Sequence, residues 1–241
     1  MSSVMLVAGI AIACGDEGTG GSPQASGTAK DATVSCKVDK SYHPTIDSAS
    51  FVEAVDNPYF PLKPGTKLSY DTGTEATEIT VLPDKKEILG VSCTVVHDEV
   101  RIGGKVAEDT YDWFAQDSDG AVWYFGEDTK EYSGTKVSTE GSWTGGVDGA
   151  KPGYIIPPAP SVGMKFRQEY LACEAEDMAE VVDMDASADV PAGSYTGCMK
   201  MKETTALEPT ALEEKYYCKG VGVVLSVDLR TKDRDELTAM Q

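Results

Sequence analysis

Residues 221–229 alternate without interruption. Val221, Val223, Leu225, Val227 and Leu229 fall on one side, and Gly222, Val224, Ser226 and Asp228 on the other. Side chains of a strand repeat every two residues, so one face of this segment is apolar throughout and has to be covered. The same period dominates from Lys67 onward. Val96, Asp98, Val100 and Ile102 share a face, while Val95, His97 and Glu99 share the opposite one. The aromatic run 110–115 leads through Gln116-Asp117-Ser118-Asp119-Gly120 into a second run, 121–125, which is the signal of a hairpin. Further turns fall at 140–146, 148–153, 157–160 and 190–195. Strand candidates separated by such turns predict a mainly all-β fold: a single curved antiparallel sheet, sandwich or part-barrel.

Helical signals are sparse. Ser50 and Glu53 have capping-box spacing, which allows at most one short N-terminal helix, ended at Asn57 by Pro58. Ala175, Met178, Ala179 and Val182 stand at helical spacing, but from Val182 to Val190 the period returns to two, giving an acidic-faced strand. With no internal repeat, residues 43–238 read as one antiparallel β domain.

The start of the chain has a different character. Residues 1–14, MSSVMLVAGIAIAC, are apolar from Val4 to Ala13 and end in small residues before a cysteine, the form of a lipoprotein-type signal peptide. Ala11-Ile12-Ala13-Cys14 looks like a lipobox with Cys14 as the lipidated residue. Ala11 replaces the more usual Leu, and no Lys or Arg precedes Val4. Residues 15–42 read as a flexible tether, because 15–30 hold no Leu, Ile, Val or aromatic residue. These features predict an exported, secreted-type lipoprotein in the cell envelope, at the outer membrane or cell surface, touching the membrane only through its lipid. No run of eighteen apolar residues exists to cross a bilayer as a helix.

Forty Asp and Glu against 21 Lys and Arg give a formal charge of −19. So acidic a surface repels phosphate backbones, which excludes nucleic acid as a partner. Besides Cys14 there are five cysteines: Cys36, Cys93, Cys173, Cys198 and Cys218. Export favours disulfides, and Cys36, beside the tether, is the odd one out. The remaining four allow three connectivities that the sequence does not decide. The favoured pairing is Cys93 with Cys198 and Cys173 with Cys218, since the latter two end similar strand-like stretches. The absence of CxxC argues against a thioredoxin-like site or a zinc ribbon.

Several segments together carry a resemblance: NPYFPLKPGTKLSY, TYDWFAQDSDGAVWYFGEDTKEY, DGAKPG and KYYCKGVGVVLSVD. In these the chain resembles a family of uncharacterised secreted bacterial proteins and lipoproteins, over about residues 51–230. Tyr216-Tyr217-Cys218-Lys219-Gly220-Val221-Gly222 is similar to a YYxxGVG strand entry of curved envelope sheets. The resemblance implies export and a β fold, and it transfers no catalytic residues.

Reaction chemistry finds little support. There are two histidines, His43 and His97, and no GxSxG; a lone strand histidine is usually structural. Asp117-x-Asp119-Gly120 resembles the opening of a calcium loop but lacks the later ligands, so a plain turn is favoured and no cofactor is expected beyond this faint Ca²⁺ signal. Trp113, Trp123 and Trp143 could stack on sugars, though strand aromatics more often pack. A curved sheet leaves an apolar concave face, and Met164, Phe166, Met199, Met201, Val223 and Leu225 are the candidates to line it. The expectation is a non-enzymatic binding or scaffold domain for an apolar small molecule. The alternatives are a surface-anchored hydrolase of sugar or ester substrates and an adaptor for another envelope protein.

Overall fold

The computed structural model describes residues 38–241. The leader, Cys14 and Cys36 lie outside the described residues. A 3₁₀ turn, Ser48–Ser50, precedes sixteen strands. The first five are β1 (Phe51–Val52), β2 (Lys67–Asp71), β3 (Glu75–Ile88), β4 (Val91–Ile102) and β5 (Lys105–Asp117). There follow β6 (Val122–Ser133), β7 (Lys136–Ser138), β8 (Trp143–Thr144), β9 (Lys151–Ile156), β10 (Lys165–Arg167) and β11 (Glu169–Tyr170). The last are β12 (Asp177–Val190), β13 (Gly193–Thr205), β14 (Leu212–Cys218), β15 (Gly222–Asp228) and β16 (Arg234–Met240).

The strands form one antiparallel sheet in the order β10-β12-β13-β14-β15-β16-β2-β3-β4-β5-β6-β9-β11. Its two ends are consecutive pieces of one segment: β10 pairs with β12, and β11, two residues further on, pairs with β9. Residues 165–170 therefore draw the edges of the sheet together, and the result is a nearly closed barrel. Gly153 makes this approach feasible, because a Cβ there would collide with the Arg167 carbonyl and the Gln168 backbone. Near-closure removes most exposed sheet edge.

The all-β expectation holds, and the hairpin through Asp117–Gly120 is present as β5–β6. Two local expectations change. In place of a helix after Ser50, the Asp47 carboxylate caps a single 3₁₀ turn, and Phe51 and Val52 then pair with Asp117 and Gln116. Phe51 packs edge-on against Trp123 and Phe125, with centroids 6.2 and 5.5 Å apart, and that aromatic docking outweighs the local helical preference. Residues 177–190 are strand throughout: the acidic-faced strand expected from Val182 is present but begins at Asp177, paired with β13 through three register shifts. Residues 39–42, assigned above to the tether, are pinned to the barrel. Arg167 holds Asp39 at 2.8 Å, and the Tyr42 hydroxyl donates to the Pro152 carbonyl at 2.7 Å.

Both faces of β4–β6 are buried. Inward-facing Val96, Phe114 and Tyr124 join the main core; outward-facing Cys93, Val95, Trp113, Trp123 and Phe125 form a second cluster, covered by Ile46 and Phe51. A β-bulge accounts for the change of parity on β6. Trp113 opposes Gly126 while Phe114 opposes Tyr124, so Phe125 is the extra residue, and Tyr124 and Glu127 both point inward. Gly126 has φ +132°, and a Cβ there would strike the Trp143 carbonyl.

Candidate functional site

The barrel interior divides into two halves. One is apolar and is plugged by the loop before β2. Phe60 is 2% exposed and sits edge-on to Phe114 at 5.2 Å, with Tyr217 6.3 Å away. The loop is anchored by Gln116, whose side-chain oxygen accepts from the backbone N–H groups of Asp56 and Asn57. The six residues expected to form an apolar ligand face do converge here, but on one another. Phe166, Met199, Met201, Val223 and Leu225 are buried in the main core, and Met164 packs at its margin. The cavity beside Phe60 and Val223 holds about 10 Å³, about the space of one water probe. The face is filled by its own side chains.

The other half is acidic. Nine carboxylates are buried among the described residues (Glu75, Asp98, Glu108, Asp112, Glu127, Glu169, Asp177, Glu203 and Asp235), against one lysine, Lys215. Strand parity places them there: Asp98 lies between Val96 and Val100 on the inner face of β4, and Lys215 is two residues from Tyr217 on β14. Lys215 contacts Glu203 at 2.7 Å and Glu213 at 3.4 Å. Burial alone would push its ammonium pKa down, but Glu203 and Glu213 more than reverse this and hold it raised. Glu203 also accepts from the Tyr217 hydroxyl at 3.0 Å and from Gln168 at 3.1 Å.

Across the lumen, Asp112 on β5 and Glu127 on β6 are directly paired in register. The Tyr124 hydroxyl donates to Asp112 at 2.7 Å, and the Trp143 indole N–H donates to Glu169 at 2.8 Å. Burial raises Asp112 to about 7, with Glu108 adding to the rise and Tyr124 and Lys215 opposing it. Burial also raises Glu127 and Glu169 well above the usual carboxylate range; Asp112 pushes both further up, as does Glu169 for Glu127 and Asp177 for Glu169. Asp177 rises to about 8, and Asp235 to about 7, in each case chiefly by burial. Carboxylates this close in a low dielectric cannot all ionise, so this half of the lumen holds protons at neutral pH.

A cleft of about 580 Å³ opens where Glu127 reaches the barrel wall. Trp113, Trp143, Ser142 and Thr144 line it together with Glu127, Asp128, Asp148 and Glu174, and its cation is Lys86. The Lys86 ammonium lies 4.4 Å from the Trp113 ring centroid, so a ring face in this cleft already carries an ammonium. Pairing of β8 with β6 places Trp143 opposite Glu127, between the cleft and Glu169.

The remaining candidates resolve into structural roles. Cys198 pairs with Cys218, not with Cys93, because the β13–β14 register that sets Met199 opposite Tyr217 also sets these two cysteines face to face. Cys93 is a buried thiol, raised to about 12 by burial, and Cys173 is disulfide-bonded rather than joined to Cys218. Asp117 is consumed by its own turn. One oxygen accepts from the N–H groups of Asp119 and Ala121, and the other from the Trp123 indole. His97 is hydrogen-bonded to Asp109 at 2.6 Å and stacked on Tyr111, away from the cleft lining. Sequence reasoning passed over Glu127, Asp112, Glu169 and Lys215. For Asp112 and Lys215 the signal was a charged residue sharing strand parity with core residues; Glu127 was hidden by the bulge at Phe125, which reverses its parity.

No protein-family model and no curated protein matches the chain. Among solved structures, it is similar to a protein from Parabacteroides distasonis ATCC 8503 described as a "putative lipoprotein". Identity is 11% and the TM-score 0.44, over 77% of this chain and 99% of that one.

Proposed function

We propose that this chain is an exported lipoprotein of the cell envelope, anchored through Cys14, whose barrel is a non-enzymatic binding domain with its ligand site in the Trp113–Trp143 cleft. One observation carries the choice of site: the cleft offers about 580 Å³, whereas the cavity beside Phe60 and Val223 in the apolar half offers about 10 Å³. Sites for small molecules are concave and need several hundred Å³. The leader ending at Cys14, the tether behind it and the Cys198–Cys218 disulfide support an oxidising, extracytoplasmic setting.

Two experiments test this reading. Full-length protein expressed with its leader should partition with membranes and carry lipid on Cys14, and Cys14→Ser should release it; membrane association that survives Cys14→Ser contradicts the anchor. A panel of sugars, amines and short peptides, screened by saturation-transfer NMR, should give hits that vanish when Thr144→Trp fills the cleft. A blank panel, or hits indifferent to Thr144→Trp, contradicts the site.

A further inference from the structure

The acidic half of the lumen has more negative charge than its own cation can balance. Lys215 is engaged by Glu203 and Glu213. On the opposite wall, the pair Asp112–Glu127 and the neighbouring Glu169 face Glu108 from β5, Tyr124 from β6, Asp177 from β12 and, across the lumen, Lys215. Glu169 is 0% exposed; its Oε2 accepts from the Trp143 indole, a backbone hydrogen bond from Asp177 also reaches the carboxyl, and burial still holds its pKa raised. A carboxylate so buried costs stability unless a proton or a cation comes to it. Glu127 belongs to this group and also lines the cleft, so the group reaches solvent at one point.

We propose that the cleft binds a protonated amine, and that its charge at Glu127 displaces a proton from the Asp112–Glu127–Glu169 group. The inference rests on the cleft being a ligand site, as proposed above. Charge balance favours it: in the free protein the group is neutralised by protons, and an ammonium at the cleft floor takes over that role. The Trp113 face is already taken by the Lys86 ammonium at 4.4 Å, so the ligand's charge is drawn by the carboxylates and not by that ring. Asp128 and Glu174 add negative potential at the mouth. The bookkeeping of the exchange is simple: one ligand charge enters, up to one proton leaves to solvent, and no covalent bond of the ligand changes.

The test is isothermal titration of the mature protein with 1,4-diaminobutane, at pH 6 and pH 8, in two buffers of different ionisation enthalpy. Butane-1,4-diol serves as the neutral control. The expected result is affinity about tenfold higher at pH 8 than at pH 6, with a buffer-dependent enthalpy that reports proton release. The diol should bind far more weakly. Glu127→Gln should abolish the pH dependence, and Asp128→Asn, on an exposed side chain that leaves the interior intact, should weaken binding about threefold while keeping it. Three results would overturn the proposal: no binding of the diamine, equal binding of the diol, or an affinity independent of pH. If the diol binds and Thr144→Trp removes it, the cleft remains a ligand site and only the amine assignment falls.

Discussion

The two halves of the barrel interior are built from the same strands and solve the problem of burial in opposite ways. Around Phe60, the inward positions of β2–β6 carry Leu68, Ile79, Val81, Val96, Phe114 and Val122, and the space closes to about 10 Å³. Further along the same strands, the inward positions carry Glu75, Asp98, Glu108, Asp112 and Glu127. The apolar half is held by dispersion and the exclusion of water. The acidic half is held by one lysine, several hydroxyl and indole donors, and protons. A core of the first kind is indifferent to pH, and one of the second kind is not. The cleft meets the acidic half at Glu127, the one buried carboxylate among its lining residues.

The contrast can be broken most severely at Lys215. Lys215→Ala leaves Glu203 and Glu213 without their cation and should cost about 5 kcal/mol in urea unfolding at pH 7. Adding Glu203→Gln and Glu213→Gln to Lys215→Met should recover most of that loss, since a neutral network no longer needs the charge. In the apolar half, Phe60→Ala should cost about 4 kcal/mol through cavity formation, with the same cost at pH 5 and pH 8. Acidity then separates the halves. The folded-state pKa values of Asp112, Asp177 and Asp235 lie at about 7, 8 and 7, above those of ordinary carboxylates. Their raised values contribute stability that is complete below pH about 4 and is lost as pH rises through those folded values. Unfolding free energy should therefore fall between pH 5 and pH 8, by on the order of 3 kcal/mol for each of these groups that loses its proton over that range. A flat profile would show that the acidic half is not protonated.

Two cysteine experiments sharpen the boundary between the halves. Replacing Cys198 and Cys218 together by Ala removes a covalent tie between β13 and β14 and should lower stability by about 2 kcal/mol. Cys93→Ala, in the outer cluster, should cost about 1 kcal/mol. In wild type the Cys93 thiol should react with a thiol reagent only after unfolding, because it is 0% exposed.

Much of the architecture was legible in residue order. The alternation around Val96 and Val100 and through 221–229 predicted strands, and the turn at Asp117–Gly120 predicted the β5–β6 hairpin. Closure was not legible, because it depends on residues 165–170 serving two neighbours and on Gly153 admitting their backbone. The Cys198–Cys218 bond was missed for a related reason: it follows from a register, and register is a property of the pair of strands. The apolar residues of the expected ligand face were rightly placed inside, but whether inward residues line a void or fill it depends on volume, which a period cannot report. Asp98, Asp112 and Lys215 stood in the sequence at inward parity. They were passed over because charged residues are ordinarily assigned to solvent.

The most direct test of the central claim, that half of this lumen is held together by protons, is a ¹³C NMR titration of the side-chain carboxyl groups of Asp112, Glu127 and Glu169 in the folded protein. The account predicts that these resonances remain in the protonated range at pH 6 and that Asp112 titrates near pH 7. If all three titrate below pH 5 with the exposed carboxylates, the acidic half is ionised and the contrast between the two halves is lost.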